Sequence, residues 1–123
     1  MASIVCQTHI VNIGKLAKSF QQACFIITFK ENAPEDLSDY CVILPNQFKV
    51  SCPLSVGQKL YIGENSYSIS AIGNLVNVNF PKLGHITIVF DGAKQAKLDG
   101  MIHVVGQYPD NLAIGDKFII EAD

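Results

Sequence analysis

His9, His85 and His103 are the three histidines of the chain. A neutral imidazole is a nucleophile near physiological pH, so each is a candidate acceptor for an electrophilic group. His85 stands in "KLGHITIVFDG", directly after Gly84 and at the entrance of an alternating apolar run. A glycine beside a nucleophile permits close approach and leaves backbone N–H groups open to a transferred anion. The competing reading is an ordinary polar residue where a strand begins. His103 lies between Ile102 and Val104, where a packed structural role is the simpler reading. His9, in "QTHIV", reads as a polar position on a wet strand face. Lys82 could add positive charge near His85, although a lone loop lysine is usually only solvated.

Other chemistries lack their residues. No G-x-x-x-x-G-K-[ST] or G-x-G-x-x-G stands in the chain, so nucleotide phosphates have no recognisable cradle. No H-E-x-x-H, no C-x-x-C and no G-x-S-x-G elbow is present. The residues thus give a metal or nucleotide cofactor no recognisable site. Asp91, Asp99, Asp110 and Asp116 lie in turn sequences beside Gly, Pro or Asn, and turn chemistry accounts for them. Cys6, Cys24, Cys41 and Cys52 are spaced by 18, 17 and 11 residues. They read as reduced, mostly shielded small hydrophobes rather than as disulfide or zinc partners.

The elements that must position these residues come from a chain of 123 residues, a length for one domain. Hydrophobic residues make up 49% and charged residues 16%, which excludes a disordered composition. The net charge is −2 and no Lys/Arg cluster exists. Nucleic-acid binding, an oligonucleotide-binding barrel included, is thereby disfavoured. No stretch approaches the roughly 20 apolar residues of a membrane helix, and "MASIVCQTHIVNIG" lacks a signal-peptide pattern. A soluble cytoplasmic protein without membrane insertion is expected.

Strand-like segments recur at Ile4–Ile13, Cys24–Phe29, Cys41–Leu44, Lys59–Ile62, Tyr67–Ile72, His85–Phe90, Met101–Val105 and Lys117–Glu121. Helical material is confined to a turn or two at Lys15–Ala23 and Asn74–Phe80, with a short start after Pro34. Four segments repeat in order. "IVNIG" (Ile10–Gly14) matches "ISAIG" (Ile69–Gly73) at an offset of 59, and "CFIITF" (Cys24–Phe29) matches "HITIVF" (His85–Phe90) at 61. "CVIL" (Cys41–Leu44) matches "IHVV" (Ile102–Val105) at 61, and "LSVGQKLYI" (Leu54–Ile62) matches "LAIGDKFII" (Leu112–Ile120) at 58. Two similar halves follow, residues 3–63 and 66–121, each of about four strands. The fold class is all-β: a single-domain, barrel-like fold with pseudo-two-fold symmetry, which hides strand edges. Gly57 and Gly115 should supply positive φ before the last strand of each half. His85 replaces Cys24 and His103 replaces Val42, so the fold itself does not demand imidazole at either place. In an ideal strand Ile86, Ile88 and Phe90 face the core and His85 faces away. His103 shares a face with Met101 and Val105, which predicts partial burial.

"YCVIL", "SAIG", "LGHITIVFDG" and "MIHVVGQYPDNLAIGDKF" resemble, in order and spacing, the glucitol/sorbitol-specific IIA component of the bacterial phosphoenolpyruvate-dependent sugar phosphotransferase system. The resemblance implies a cytoplasmic phosphocarrier that takes a phosphoryl group on histidine from HPr. It would pass the group to the IIB part of the membrane-bound IIB/IIC permease. Some relatives carry histidine directly after the "Y-C-x-[VI]" strand; here Leu44 and Asn46 stand at those places. The acceptor is then His85, supported by Gly84, or His103 as second candidate. The alternative is a non-catalytic binding or regulatory module that has lost its acceptor.

Overall fold

The computed structural model describes residues 3–123. Met1 and Ala2, included in the expected domain, lie outside the described residues. Runs of Ile, Val, Phe and Tyr broken by Gly, Pro and Asn form nine strands among the described residues. They are β1 (Ser3–His9), β2 (Asn12–Ile13), β3 (Phe25–Lys30), β4 (Cys41–Leu44), β5 (Lys59–Ile62), β6 (Asn65–Ile72), β7 (Ile86–Val89), β8 (Met101–Val105) and β9 (Lys117–Ala122). A 3-10 turn spans Ala17–Phe20, and two helices are α1 (Glu35–Ser38) and α2 (Val76–Leu83). The α1 start after Pro34 carries Glu35 and Asp36 in its first turn, where the helix dipole favours carboxylates. Helix α2 runs past the expected end at Phe80. Pro81 sits in its last turn, and Gly84, with φ 63°, closes it by donating its N–H to Phe80 O at 2.8 Å.

One mixed sheet holds all nine strands in the order β1-β9-β5-β6-β8-β7-β3-β4-β2. Its two outer strands are pieces of a single segment parted at Ile10–Val11. Ile10 N–H donates to Asp116 O beside β9, and Val11 N–H donates to Ile43 O on β4. That segment hands over from one end of the sheet to the other and curls it into a barrel-like shell. The core inside includes the fully buried Leu44, Leu60, Phe80, Ile86, Ile88, Phe118 and Ile120. A smaller cluster of Phe29, Cys41 and Ile43 covers the outer face of β3 and β4, which is why all four residues of β4 are buried.

The halves repeat in their hydrogen-bonded register. Thr28 pairs with Val42 in the parallel β3–β4 pair, and Val89 with His103 in the parallel β7–β8 pair, an offset of 61 at both positions. Ile26 pairs with Ile88 and Ile27 with Thr87 across β3–β7, as a two-fold axis between the strands requires. Leu16 N–H reaches Asp39 O, and Leu75 N–H reaches Asp99 O. Gly57 and Gly115 have φ of 93° and 95°. The cysteine expectation needs correction. All four are free, but only Cys6 and Cys41 are buried, while Cys24 and Cys52 are exposed. Cys24 lies in the turn before β3 with φ 62°, outside the strand expected to shield it, and Cys52 lies in the loop between β4 and β5.

Candidate functional site

His85 sits at the point where α2 meets β7. Gly84 turns the chain out of the helix, and three contacts from β3 hold the turn. Thr28 Oγ1 donates to Gly84 O at 2.7 Å, and Ile86 N–H donates to Thr28 Oγ1 at 3.3 Å. His85 Nδ1 lies 3.1 Å from Thr28 O. A carbonyl oxygen only accepts, so Nδ1 carries the proton and, in the neutral ring, Nε2 carries the lone pair. The Phe29 ring packs on the imidazole with centroids 4.9 Å apart. The ring is thereby fixed in tautomer and tilt, on the outer face of the sheet and half-buried. Ile86 and Ile88 point into the core from the same strand.

Lys30 completes the neighbourhood. Its side chain is nearly buried, and its ammonium donates to Pro81 O at 3.1 Å and Lys82 O at 3.4 Å, over the Phe48 ring. Those carbonyls form the negative end of α2. A buried ammonium there offsets a potential that would oppose an incoming anion. A Cβ on Gly84 would stand 2.7 Å from Lys30 Cγ and 3.2 Å from Lys30 N. Gly84 is therefore small because the lysine stem crosses it. This corrects the expected role: its N–H is committed to Phe80 O, so it leaves no open donor for an anion. Lys82 itself is exposed.

His103 is wholly buried. The segment after β7 folds over it, which is a fuller cover than Met101 and Val105 would give. Lys97 N–H donates to its Nε2 at 3.2 Å, and its Nδ1–H donates to Asp91 Oδ1 at 2.8 Å. Both ring nitrogens are occupied, so this histidine presents no lone pair at the surface. Burial raises the Asp91 pKa. Hydrogen bonds from Ala93 N–H and His103, together with the Lys97 ammonium 3.3 Å away, outweigh it and hold the carboxyl at about 2. The turn reading of Asp91 thus captured the Ala93 bond and missed the imidazole. His9 is exposed on β1 opposite Lys117. Leu44 is fully buried, and the exposed Asn46 accepts from Asn32 N–H at 2.9 Å. No group of His, Cys, Asp and Glu among the described residues has the arrangement of a metal site. Thr28, Phe29, Lys30 and Lys97 were not foreseen. One trace exists in the repeat: Lys30 and Asp91 occupy equivalent positions, offset by 61, and each holds the segment beside a histidine.

Known proteins resemble this chain over nearly its whole length. The family described as "PTS system glucitol/sorbitol-specific IIA component" matches residues 5–119. Proteins named "PTS system glucitol/sorbitol-specific EIIA component" from Shigella flexneri and from Escherichia coli (strain K12) are each 34% identical to this chain. Each alignment spans 120 residues, 98% of this chain and 97% of the relative. The crystal structure of a PTS system IIA component from Enterococcus faecalis V583 has the same fold, with a TM-score of 0.74 and 24% identity, covering 91% of this chain and 96% of that one. No helix among the described residues is long and apolar enough to cross a membrane. With a family match over nearly its whole length and the same barrel-like fold as a solved IIA component, the chain belongs to the glucitol/sorbitol-specific IIA components of the phosphotransferase system.

Proposed function

We propose that this chain is a cytoplasmic phosphoryl carrier whose acceptor is Nε2 of His85. HPr is the donor, the IIB part of a hexitol permease is the recipient, and the chain itself needs no metal or nucleotide. The observation that carries the reading is the Nδ1–H bond to Thr28 O, which leaves the Nε2 lone pair on a half-buried ring. In the forward step Nε2 attacks the phosphorus of the donor phosphohistidine. The N–P bond to the donor breaks, its electron pair returns to the donor ring, and the PO₃ group becomes bound to His85. The accepting ring gains positive character in that step, and the Thr28 carbonyl dipole stabilises it through Nδ1–H. Lys30 offsets the helix-end carbonyls that would repel the group's negative charge. Transfer to IIB reverses the roles.

The second reading, a docking module without an acceptor, is favoured by Leu44 and Asn46, because neither place holds a nucleophile. Intact-mass measurement after incubation with phosphoenolpyruvate, enzyme I and HPr separates the two. A gain of one phosphoryl group that is lost in His85→Ala supports the carrier. No gain in the wild-type chain supports the module, and a gain retained in His85→Ala overturns the site.

A further inference from the structure

His103 is wholly buried and makes two hydrogen bonds of opposite sense. Asp91 Oδ1 accepts from Nδ1–H at 2.8 Å, so Nε2 keeps its lone pair and accepts Lys97 N–H at 3.2 Å. That second bond exists only in the neutral ring. An imidazolium donates at both nitrogens, and at Nε2 it would meet another donor. Its charge has a counterion, because Asp91 is held at about 2 and stays ionised through the mildly acid range. Its second proton has no acceptor. The register partners of His103 are Val89 on β7 and Ala71 on β6, and neither titrates. Asp91 and Lys97 face the ring from the covering segment, whose other charged residues, Lys94 and Asp99, are exposed.

The cover over His103 is lightly held. Gly92 N–H donates to Val104 O at 2.9 Å and Ser70 Oγ donates to Ala93 O at 2.7 Å, which fixes its start. Leu98 O accepts from Met101 N–H and Asp99 O from Leu75 N–H, which fixes its end. Between those points, among the described residues, the hydrogen bonds and ion pairs to the rest of the fold are those of Lys97: its N–H to His103, and its ammonium 3.3 Å from Asp91 Oδ2. Lys94, Gln95 and Leu98 are exposed, and a cavity of about 340 Å³ is lined by residues 94–96 and residues 71–73. Little apolar packing opposes displacement of this stretch.

We propose that residues 94–98 are a strap latched by neutral His103 and released when Nε2 takes a proton from solvent. One Nε2–H bond forms and the hydrogen bond from Lys97 N–H breaks. Lys97 N–H and the new Nε2–H then turn to water, and the imidazolium stays paired with Asp91. Opening takes up one proton, so its equilibrium constant rises by up to about tenfold per pH unit wherever the hydrated imidazole is charged. The strap leads into Asp99 and Gly100, whose carbonyls accept from Leu75 at the start of α2 and from Thr87 on β7, the two elements that flank His85. The latch itself does not depend on the His85 reading.

The test is amide hydrogen exchange of the ¹⁵N-labelled protein, followed by NMR from about pH 7.5 to about pH 5 together with the His103 ring nitrogens. Protection of the Lys97 amide, corrected for intrinsic exchange, should fall by about tenfold or more over that range, while the amides of β8 keep theirs. The fall should share its midpoint with the change of the His103 ring from one protonated nitrogen to two. In His103→Gln the side chain can accept from Lys97 and donate to Asp91 without gaining a proton, so Lys97 protection should stay constant. A ring that becomes charged under an intact Lys97 bond, loss of protection with a neutral ring, or neither change before the whole protein unfolds overturns the latch. So does an equal pH-dependent fall in His103→Gln, which would assign the opening to another group. If that variant does not fold, the match of midpoints in the wild-type protein decides alone.

Discussion

Replacing Gly84 by alanine tests how the turn before His85 is built. Two separate effects act there. At φ 63° a Cβ meets the following carbonyl, at about 1–2 kcal/mol. The same Cβ would stand 2.7 Å from Lys30 Cγ and 3.2 Å from its backbone nitrogen, so the lysine stem must move and its ammonium must loosen from Pro81 O and Lys82 O. Weakening hydrogen bonds made by a charged donor adds about 1–2 kcal/mol, for a total near 2–4 kcal/mol. Unfolding entropy of roughly 2.1 cal/mol/K per residue makes about 4 °C per kcal/mol in a chain of this length, so Tm should fall by about 8–16 °C. Two other glycines separate the effects. Gly57 has φ 93° with nothing within 4 Å of an added Cβ, so its alanine variant should show strain alone, about 1–2 kcal/mol. Gly100 has neither strain nor a neighbour, and Gly100→Ala should stay within about 0.5 kcal/mol of wild type or gain slightly. Calorimetric melts of the three variants give the order directly. A Gly84→Ala melt no lower than that of Gly57→Ala would refute the packing of Lys30 over the glycine, and with it the account of how His85 is held.

Thr28→Val keeps the shape but leaves the buried Gly84 carbonyl without its hydroxyl donor, so stability should fall by about 1–3 kcal/mol in denaturant melts. A thiol reagent should label Cys24 and Cys52 rapidly in the native protein and leave Cys6 and Cys41 unlabelled until unfolding. Both protected thiols are buried, and burial pushes them up to about 12 and about 11. Asp91 is held at about 2 in the fold against an ordinary 3.8. Its contribution is therefore present above pH 4 and is lost as pH falls from 4 to 2. Because its carboxylate is partly exposed, the loss should be on the order of 1 kcal/mol, and Asp91→Asn should flatten that part of the stability–pH curve.

Local pattern was enough for much of the fold. Cys41–Leu44, Lys59–Ile62 and Met101–Val105 form strands over the expected residues, because each is a short β-branched or aromatic run bounded by turn formers. The ordered repeats implied two halves, and the registers of β3–β4 and β7–β8 repeat with the same offset. What the sequence concealed lies in contacts across long separations. Thr28 meets the His85 turn from 57 residues away, and Lys30 reaches the end of α2 from 51. A strand pattern says which face a residue takes but not what covers that face. His103 illustrates the point: the face it shares with Met101 and Val105 predicted partial burial, and the Asp91–Lys97 segment buries it completely. Cys24 was misread for the opposite reason. Its apolar neighbours suggested strand, whereas its backbone turns through positive φ one residue before the strand starts.

The proposed acceptor is His85 Nε2 and no other nitrogen of the chain. Phosphorus–nitrogen NMR of ¹⁵N-histidine-labelled protein, phosphorylated by phosphoenolpyruvate, enzyme I and HPr, reads the bond directly. One phosphoryl group coupled to Nε2 of His85 is expected, with Nδ1–H retained in its bond to Thr28 O. Coupling at Nδ1, coupling on His9 or His103, or no phosphorylated species would contradict it.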